Sequence, residues 1–377
     1  MIIGVDVTML VYAGSGVANY TFNLVKTLLE IDKKNEYRLF YSSFRRPKNF
    51  YYLDELKKLG GKIFAFRFPP SLLQLWWSKL DIVPVEWLIG KVDVYFSSDF
   101  LRPPLFPGTK GMTTVHDLTW KIYPEYHEQR IIDAHATKLK KTIKYNDAVL
   151  VDSISTKNDL SKYYPEIEKP KIQVVYPGIG EQFKSKTKDQ RSNTILKKYK
   201  IDIDSQFLLY VGAIEPRKNL VLSIKVFNEL IKDGRFAGFK FIIAGRAGWK
   251  NEDVFKTIKK LGLEEKVIFT GFVEDEDLPY LYSTASLTVY LSSYEGFGLP
   301  PLESLACGTK VIVGNNSSLK ETIDPEFLVD ISDKKKILEK MKYLLSNKVK
   351  INTKEVQDKF NWKNSAQQFL KIITALR

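Results

Sequence analysis

Residues 286–303 read SLTVYLSSYEGFGLPPLE, and this stretch gives the strongest indication of how the chain folds. Its first part, 287–291, is a short apolar and β-branched run of the kind that forms a buried strand. Two glycines follow, and the pair Pro300 and Pro301 fits the first turn of a helix, where the missing proline N–H is not needed. A strand, a glycine loop and a helix in this order form the unit from which parallel α/β sheets are built.

The same alternation of β-rich runs and helical patterns extends through both halves of the chain. In the first half it predicts strands at 2–6, 37–41, 62–66, 92–96, 111–115, 148–151 and 172–175. In the second half it predicts strands at 207–211, 239–244, 267–270, 287–291 and 309–313. The sequence therefore predicts an α/β protein with two open parallel sheets. In such sheets, ligands bind at the carboxyl ends of the strands.

The polar stretch 178–200 has no apolar periodicity before Ile195, so we interpret it as a linker. We place an N-terminal domain at 1–185 and a C-terminal domain at 186–359, facing each other across a cleft. Residues 360–377 predict a final helix, because their apolar residues recur at helical spacing. The apolar stripe comprises Trp362, Phe369, Ile372, Ile373 and Leu376. The pattern leaves open which domain this helix packs on.

Composition restricts the classes of protein to which the chain can belong. Of 377 residues, one is a cysteine, Cys307, which excludes a disulfide framework and fits a reducing compartment. We expect no signal peptide, because the first residues lack a basic leader. No apolar run reaches the roughly 18 residues that span a bilayer. We therefore expect a cytoplasmic protein.

The positive charge is concentrated in the first half of the chain. The net charge is +14, and residues 1–200 hold 32 Lys and Arg against 21 Asp and Glu. This excess fits contact with an anionic membrane surface, and it equally fits an ordinary basic surface. We do not expect nucleic acid as a partner, because no helix combines a basic stripe with base-stacking aromatic residues.

Two carboxylates flank the glycines of the opening stretch. Glu295 follows the strand on a loop, and we expect Glu303 in the first turn of the next helix. Between them, backbone N–H groups could bind phosphates while the carboxylates bind sugar and ribose hydroxyls. These N–H groups belong to Gly296, Phe297, Gly298 and Leu299. The alternative role of Glu303 is compensation of the helix dipole.

Residues 215–219, Glu-Pro-Arg-Lys-Asn, lie between the strand at 207–211 and a helix that we expect to begin near Asn219. Arg217 and Lys218 at a helix N-terminus, with Asn219 as its N-cap, would bind a diphosphate. A solvated basic turn is the alternative.

Gly14 and Gly16 lie in the loop 13–17 after the first strand, where a helix N-terminus would favour a phosphate. The loop is not a dinucleotide-binding fingerprint, because Asn19 occupies the position of the third glycine. The strand at 37–41 also ends without the carboxylate that binds the ribose of NAD, which argues against a dehydrogenase. A glycine turn that only reverses the chain is the alternative.

His116 and Asp117 directly follow the strand at 111–115, so His116 would project from the carboxyl end of a strand into the cleft. There it could donate a hydrogen bond or carry charge. A structural His116–Asp117 pair that steadies the loop is an equal alternative. We expect His127 and His135 to be solvated, and the histidine spacing predicts no metal site.

Together these motifs resemble the retaining glycosyltransferases of family 4, the glycosyl transferases group 1 class, which have the GT-B fold of two Rossmann-like domains. The hallmark of that family is a Glu-x7-Glu pair, here EGFGLPPLE at 295–303. The other motifs also follow in family order. They are HDL (116–118), VDSISTKNDL (151–160), VVYPG (174–178), EPRKN (215–219), FTGFV (269–273), ACGTKVIVGNNSSLKE (306–321) and FNW (360–362). The resemblance extends over essentially the whole chain and is strongest over 205–325.

The resemblance implies a role for each matching position. Glu295 would bind hydroxyls of the donor sugar, and Glu303 would bind those of the ribose. Lys218, with Arg217 beside it, would neutralise the diphosphate. The segment of Gly271, Phe272 and Val273 would border the base. In the other domain, Gly16 would approach the phosphates and His116 would lie beside the reacting sugar.

The chain departs from the family pattern at two positions. Many relatives have Arg directly after the glycine that ends the first strand of the C-terminal domain, whereas here Gly212 is followed by Ala213. Arg217 or Arg246 would then substitute for it. Lys310 replaces a common proline, which we expect only to loosen the start of a strand.

The resemblance implies a retaining, metal-independent hexosyltransferase with no cofactor, whose co-substrate is the nucleotide sugar. The pattern is most similar to bacterial mannosyltransferases of surface polysaccharide and lipopolysaccharide biosynthesis. This similarity implies transfer of mannose from GDP-mannose, or of a sugar from a UDP-sugar, to a lipid-linked or polysaccharide acceptor. The alternatives are a nucleotide-sugar epimerase of the GT-B fold and a non-catalytic two-domain sugar-binding protein. Glycogen- and sucrose-type transferases share the carboxylate pair, but their chains are usually longer.

Residues 68–88 form an aromatic, partly amphipathic stretch that contains SLLQLWWSKL at 71–80 and Trp87. Burial in the core is the commoner fate of such a stretch. The alternative is contact with a lipid-linked acceptor or with the anionic inner face of the plasma membrane, to which the protein would bind peripherally.

Overall fold

The computed structural model describes residues 1–12, 14–44, 50–98, 100–187 and 189–376. Its strands are β1 (Ile2–Asp6), β2 (Glu36–Ser42), β3 (Lys62–Phe66), β4 (Val94–Ser97), β5 (Lys110–Val115), β6 (Ala148–Val151), β7 (Ile172–Val174), β8 (Phe207–Val211), β9 (Lys240–Ala244), β10 (Val267–Gly271), β11 (Leu287–Tyr290), β12 (Val311–Gly314) and β13 (Leu328–Val329). Every predicted strand is present, with its ends displaced by no more than one or two residues. Strand β13 was not predicted, because two residues form no visible pattern.

Most of the strands are followed by one or two α-helices, and β13 is followed by three. They are α1 (Gly16–Ile31), α2 (Tyr51–Lys58), α3 (Pro70–Leu73), α4 (Glu86–Ile89), α5 (Thr119–Ile122), α6 (Gln129–Lys144), α7 (Ile154–Tyr163), α8 (Gln190–Lys198), α9 (Leu220–Ile231), α10 (Glu252–Leu261), α11 (Leu278–Thr284), α12 (Leu299–Ala306), α13 (Leu319–Thr322), α14 (Lys334–Ser346), α15 (Thr353–Lys359) and α16 (Trp362–Ala375). Over the described ranges, no helix combines the length and the apolar character needed to cross a bilayer. The predicted cytoplasmic location stays a prediction.

The chain divides into two compact units. Unit 1 comprises Met1–Gly178 together with the segment from Phe360 onward, and unit 2 comprises Ile179–Lys359. The first unit thus ends at Gly178, earlier than the boundary at 185 that the sequence indicated.

Unit 1 is built on a parallel sheet, sheet 1, with the strand order β3-β2-β1-β4-β5-β6-β7. The centre of the sheet is fully buried: Val5 of β1 pairs with Leu39 of β2 and Phe96 of β4, and none of the three side chains is exposed. Burying side chains of this size stabilises the fold by about 1.5–3 kcal/mol each. The order of the strands reverses between β1 and β4, so the crevice in which such sheets bind ligands lies between the loops that follow these two strands. The loop after β5 lies at the same carboxyl edge, one strand further along.

Helix α16 packs on unit 1, which answers the question that the sequence left open. Asn361 caps it by accepting a hydrogen bond from the Asn364 N–H at 2.9 Å. Trp362, Phe369 and Ile373 belong to the core beside β1 and α1, and the Phe369 ring lies 5.1 Å from that of Phe96. Ile372 and Leu376 lie at the edge of the same core, partly buried, and Arg377 lies outside the described residues.

Unit 2 is built on a second parallel sheet, sheet 2, with the strand order β10-β9-β8-β11-β12-β13. The order reverses between β8 and β11, which are hydrogen-bonded neighbours although many residues separate them in the chain. Their carboxyl ends therefore bring the loops 212–219 and 291–298 together. A ligand of this sheet is expected between these two loops.

The linker predicted at 178–200 is wrong for its second half, because α8 occupies Gln190–Lys198. Asp189 caps this helix by accepting the Ser192 N–H at 3.0 Å, and Ile195 and Leu196 are buried. At its end, Lys198 Nζ donates to Asp277 at 2.6 Å. Two apolar residues side by side anchor the helix, and so short a pattern shows no period in the sequence.

Candidate active site

Hydrogen bonds join the loop that follows β8 to the loop that follows β11 at the edge of sheet 2. The Ser293 N–H donates to the Arg217 carbonyl at 2.9 Å, and Arg217 Nη1 donates to the Tyr294 carbonyl at 3.0 Å. These bonds fix the two loops against each other, so the side chains that they carry meet in one place.

A network of buried charges lies where the two loops meet. Glu295 accepts hydrogen bonds from Lys218 Nζ at 2.7 Å and from Arg217 Nη1 at 2.6 Å. Arg217 Nη2 also donates to Glu215 at 2.7 Å, and Lys218 Nζ donates to the Tyr290 hydroxyl at 2.8 Å. Two cations and two carboxylates thus neutralise one another, and the Tyr290 hydroxyl is a second hydrogen-bond acceptor for Lys218.

The pKa values of the network reflect this pairing. Burial alone would raise the pKa of Glu295, but the cations Arg217 and Lys218 outweigh it and hold that pKa at about 2. Burial lowers the pKa of Lys218, and Glu295 and Glu215 oppose that shift. Glu295 is therefore a carboxylate at every physiological pH, and its contact with two cations is an ion pair.

The loop 294–298 leads from this network to the N-terminus of α12. Ser317 Oγ accepts the Glu295 N–H, and Ser318 Oγ donates to the Glu295 carbonyl, both at 2.9 Å. Gly298 has a left-handed backbone, with φ +92°, and a Cβ there would lie 2.5 Å from Leu319. Only glycine fits this turn without strain. The turn leads into the N-terminus of α12, where Pro300 and Pro301 have no N–H, so the backbone donors at this end of the helix belong to Leu299 and to the loop before it.

Glu303 lies in the second turn of α12, not in the first, because the helix begins at Leu299. Its Oε2 accepts a hydrogen bond from the Tyr282 hydroxyl at 2.9 Å. Burial raises the pKa of Glu303 from its ordinary 4.5 to about 8, and nearby Asp275 adds to the shift. A largely neutral carboxyl group cannot compensate a helix dipole, so that alternative role is not supported.

In unit 1, His116 bonds to a partner that the sequence did not indicate. Its Nδ1 lies 2.7 Å from Asp152 Oδ2, across the carboxyl ends of β5 and β6. Asp117, the expected partner, instead accepts hydrogen bonds from Thr119, from its N–H at 2.9 Å and its hydroxyl at 2.6 Å. The hydrogen bond of His116 to Asp152 thus gives it a carboxylate partner other than the one in the alternative interpretation.

The glycine loop of unit 1 leads directly into α1. Gly14 has φ +79°, which requires glycine-like freedom, and Ser15 caps the helix by accepting the Ala18 N–H at 3.2 Å. Gly16 is the first residue of the helix. Among the described residues, apart from its chain neighbours and the backbone of its own helix, no atom lies within 4 Å of the position that its Cβ would take. Ala13 of this loop lies outside the described residues.

Residues 191–366 match the family described as glycosyl transferases group 1. The chain carries a glycosyl transferases group 1 domain. O-antigen chain mannosyltransferase B of Escherichia coli is 27% identical over 324 residues, which cover 84% of this chain and 83% of that protein. O-antigen chain mannosyltransferase RfbU of Salmonella typhimurium is 32% identical over 202 residues, 54% of this chain and 51% of that protein.

Solved structures agree with this assignment at the level of the fold. Sucrose-phosphate synthase from Thermosynechococcus elongatus superposes with a TM-score of 0.74 at 18% identity, covering 100% of this chain and 99% of that one. Anabaena HepE in complex with UDP-glucose has a TM-score of 0.72 at 14% identity and 99% coverage of both chains. The prediction of two α/β domains with the GT-B fold is confirmed, and so is the coarser prediction of a glycosyltransferase.

The charge network and Glu303 lie inside the matched domain, whereas Gly14, Gly16 and His116 precede it. Arg246, also inside the domain, lies over the Phe272 ring at 4.4 Å from its centroid. Its backbone carbonyl accepts the Ile214 N–H at 3.0 Å, and the Gly271 carbonyl accepts the Gly245 N–H at 2.8 Å. These contacts join the ends of β8, β9 and β10. Val273, by contrast, is buried in the core.

Two further details of the domain differ from expectation. Asn219 stands at the N-cap position of α9 but has a left-handed backbone, with φ +54°, and its side chain makes no capping hydrogen bond. A 3-10 turn at Pro216–Lys218 precedes it and directs the two cations towards Glu295. Lys310 does not merely loosen a strand, because its Nζ donates to the carbonyls of Leu344 and Asn347 at the end of α14.

The predicted solvation of His135 is wrong. Its ring stacks on Trp120, with 5.6 Å between the centroids, and lies 4.9 Å from the ring of Phe100. Burial lowers the pKa of His135 to about 3, so it is neutral at physiological pH. His127 is half-buried and not fully solvated. Within the described residues, no group of three or more His, Cys, Asp or Glu is arranged to hold a metal ion.

Sequence reasoning missed several members of the site. The sequence indicates Glu215 only as part of a turn, and it indicates no role in the site for Tyr290, Tyr282 or Asp152. Asp152 had a usable signal, since it directly follows strand β6 just as His116 follows the neighbouring strand β5. Tyr282 had none, because it meets Glu303 only through the packing of α11 on α12.

Proposed function

We propose that this protein is a retaining glycosyltransferase that moves mannose from GDP-mannose to a lipid-linked or polysaccharide acceptor in cell-surface glycan synthesis. The observation that carries the proposal is the buried contact of Lys218 and Arg217 with Glu295 inside the glycosyl transferases group 1 domain. The choice of mannose rests on the relatives, two of which are named O-antigen chain mannosyltransferases. A UDP-sugar is the second candidate donor, since HepE was solved with UDP-glucose.

In the proposed reaction, the bond between the anomeric carbon of the sugar and the donor diphosphate breaks. A bond from the acceptor oxygen to the same carbon forms on the same face, and the acceptor proton passes to the leaving phosphate. Negative charge thus develops on the diphosphate. Lys218 and Arg217 would stabilise it by charge-assisted hydrogen bonds, with no metal ion required.

Glu295 accepts a hydrogen bond from each of the two cations. We infer that the phosphates of the donor replace the Glu295 carboxylate on Lys218 and Arg217, which frees Glu295 to bind hydroxyls of the sugar. The backbone N–H groups of Gly298 and Leu299, at the start of α12, would contribute hydrogen bonds to the same phosphates, whereas Pro300 and Pro301 have no N–H. Because Glu295 and the diphosphate carry charge of the same sign, the cations would be neutralised in both states.

The remaining roles follow from positions within each unit. Glu303 would bind the ribose, and a largely neutral carboxyl group can both donate and accept a hydrogen bond there. Arg246 and Phe272 would border the base, since their stacked pair lies at the ends of the neighbouring strands β9 and β10. In unit 1, Gly16 would approach the phosphates and His116 would lie beside the sugar.

The first experiment identifies the donor and then tests Lys218. Thermal shift with UDP-, GDP- and ADP-sugars selects the donor, and transfer to an acceptor extract is followed with it. In Lys218→Ala, we expect kcat to fall by about 100- to 1,000-fold, because a contact of the transition state is lost. Lys225→Ala, an exposed lysine on the following helix α9, is the matched control and should stay near wild type. A near-normal rate in Lys218→Ala would refute the diphosphate role.

Product analysis separates the alternatives. A transferase gives a new glycosidic bond only when acceptor is present. The one-bond carbon–proton coupling at the anomeric carbon of the product reports retention, because in mannosides the H1–H2 coupling is small for both anomers. A nucleotide-sugar epimerase would convert the donor without acceptor. A sugar-binding protein would bind without turnover of any donor.

We also propose that an anionic membrane surface is a partner of unit 1. In the stretch 68–88, Trp77 is fully buried and its Nε1 donates to the Val83 carbonyl at 3.0 Å. Four large apolar side chains of the same stretch are exposed: Leu75 by 42%, Leu80 by 54%, Ile82 by 46% and Trp87 by 68%. Exposed Lys and Arg side chains flank them at 62, 67, 79 and 91. Apolar side chains beside cations are what an anionic leaflet binds.

Flotation with anionic and with neutral liposomes tests this partner. We expect the protein to float with anionic vesicles at low salt, and Ile82→Ser with Trp87→Ser to abolish flotation. Tyr343→Ser, which replaces an exposed aromatic of unit 2, serves as the control. No binding of the wild type at low salt would rule out the membrane partner.

A further inference from the structure

A polar residue directly follows each of the strands β5 and β6, and these two residues meet. His116 follows Val115 and Asp152 follows Val151, and the two valines are partners in the register of the parallel pair. The next residues therefore leave the sheet at the same level. His116 Nδ1 and Asp152 Oδ2 are separated by 2.7 Å, the length of a charge-assisted hydrogen bond.

Asp152 is held rigidly in a buried position. Only 6% of it is exposed, and Ser153, the next residue, caps helix α7 by accepting the Thr156 N–H at 3.0 Å. Burial raises the pKa of Asp152, and His116 opposes that shift. Among the described residues, no hydrogen-bond partner of Asp152 Oδ1 is present. The contact with His116 is therefore the main polar interaction of this carboxyl group.

The imidazole is fixed from a second side by aromatic packing. The buried Tyr20 ring of α1 meets the His116 ring edge to face, with 4.8 Å between the centroids, and Tyr20 in turn packs against Trp362 of α16 at 5.8 Å. Because Nδ1 is engaged by Asp152 and the Tyr20 ring packs against the imidazole, rotation of the imidazole is restricted. Nε2, which is a buried atom, is then the ring nitrogen at which we expect a ligand.

We propose that Asp152 is a positioning residue for His116. It accepts a hydrogen bond from Nδ1–H of His116 and so fixes the tautomer with the proton on Nδ1. In this tautomer, Nε2 can accept a hydrogen bond from a sugar hydroxyl. An aspartate that bonds the far nitrogen of a histidine sets both its tautomer and its orientation. The identity of the hydroxyl rests on the proposed glycosyl transfer. The tautomer does not, because it is a property of the unliganded protein.

Other titratable groups also act on the pair, and they stay in place in the tests below. Asp117 lies on the loop of His116 itself, and His127 precedes α6. Helix α6 contributes His135 and Lys138, whose Nζ donates to the Thr114 carbonyl at 2.6 Å. Tyr20 belongs to α1 and is protonated throughout, since burial raises its pKa far above the ordinary value. A change that appears on removing the Asp152 charge alone can therefore be assigned to Asp152.

Nitrogen-detected NMR of the imidazoles is the direct test, and the chain has only three histidines to assign. In the wild type, we expect His116 as the Nδ1–H tautomer. In Asp152→Asn, we expect this signal to shift towards the mixture of tautomers seen in free histidine and to titrate at lower pH, because the carboxylate that favours the imidazolium is gone. Asp152→Glu, which restores a carboxylate, should recover part of the wild-type signal and stands in if Asp152→Asn does not fold.

The kinetic test uses a double-mutant cycle. We expect Asp152→Asn to lower kcat by about 10- to 100-fold, the range for residues that orient a functional histidine, with little change in KM. In His116→Ala, the further change Asp152→Asn should lower kcat no more, because Asp152 acts through His116.

Asp147 at the other end of β6 provides the control. It is also buried and accepts two hydrogen bonds from Arg102, at 2.7 and 2.8 Å. Asp147→Asn should reduce stability but leave the tautomer of His116 and the pH profile of kcat unchanged. If Asp152→Asn left the His116 signal and its titration as in the wild type, or if the two changes were additive, the positioning role would be refuted. If the wild type transferred no sugar but the expected NMR change appeared in Asp152→Asn, the proposed function would be refuted. The role of Asp152 in fixing the tautomer of His116 would then still stand.

Discussion

Glu295 and Glu303 belong to the same strand–loop–helix segment, eight positions apart, yet the surroundings of the two carboxyl groups have opposite effects. Both are withdrawn from water, which by itself raises the pKa of each. Glu295 meets two cations, and its pKa falls to about 2. Glu303 meets no cation that offsets its burial, and the charge of Asp275 adds to the effect, so its pKa rises to about 8 although the Tyr282 hydroxyl opposes the shift.

The difference shows that the spacing of the motif does not determine the chemistry of its carboxyl groups. The partners do, and they come from other elements: Lys218 from the loop after β8, and Tyr282 from α11. Environments that push two pKa values apart give two like residues different roles. Here one carboxyl group is a permanent anion that pairs with cations, and the other is a group that can donate as well as accept a hydrogen bond.

The largest loss of stability is expected for Glu295→Gln, which removes the negative charge that distinguishes Glu295 from Glu303. The buried Lys218 and the half-buried Arg217 would be left with a neutral amide between them, and loss of one partner of a buried pair destabilises a protein by about 3–5 kcal/mol. Urea unfolding followed by tryptophan fluorescence measures the change. Glu303→Gln, the same substitution eight positions on, should lower stability much less at pH 8. Equal losses for the two variants would contradict an ion-paired Glu295.

The sequence was sufficient to predict the strands and the loops that carry Glu295, Arg217 and Lys218, because buried parallel strands are apolar throughout and their ends are marked by polar residues and glycines. It was not sufficient to predict that these side chains contact one another. That contact depends on the strand order of sheet 2, which makes β8 and β11 neighbours. Strand order is decided by packing across the whole sheet, not by any local pattern.

Local patterns also failed where one or two side chains decide the structure. Helix α8 is held by Ile195 and Leu196 on an otherwise polar stretch, too few to give a period. His135 lies in a polar helical sequence, yet Trp120 from another segment covers its ring. Conversely, the apolar stripe of α16 was visible because Trp362, Phe369 and Ile373 recur at helical spacing over the whole helix.

A second, smaller effect is expected at Gly298, which sets the path of the chain between the two carboxyl groups. Gly298→Ala would suffer left-handed strain of about 1–2 kcal/mol and would press against Leu319, a fully buried side chain, adding about 1–3 kcal/mol. Gly271→Ala is the matched control, since Gly271 has φ +71° but no atom within 4 Å of its Cβ position. Denaturant midpoints measure both variants. If Gly271→Ala were as damaging as Gly298→Ala, contact with Leu319 would not be the cause.

The last prediction concerns the pH dependence of stability and tests the raised pKa of Glu303. Its folded pKa of about 8 lies above the ordinary 4.5, so between these values the folded protein binds a proton that the unfolded chain has lost. The stability that Glu303 contributes is therefore complete below pH 4.5 and is lost as pH rises to 8. Glu303→Gln removes this dependence, so the Tm of the wild type should fall relative to that of the variant by a few degrees across this range.

Tyr282→Phe extends the same measurement. The Tyr282 hydroxyl donates to Glu303 and so favours the charged carboxylate, which holds the pKa below the value that burial alone would give. Without this hydroxyl the pKa should rise further, and the loss of stability should continue to higher pH than in the wild type. Parallel Tm curves for the wild type and Glu303→Gln between pH 4.5 and 8 would show that Glu303 is ionised like Glu295. The contrast between the two carboxyl groups would then be wrong.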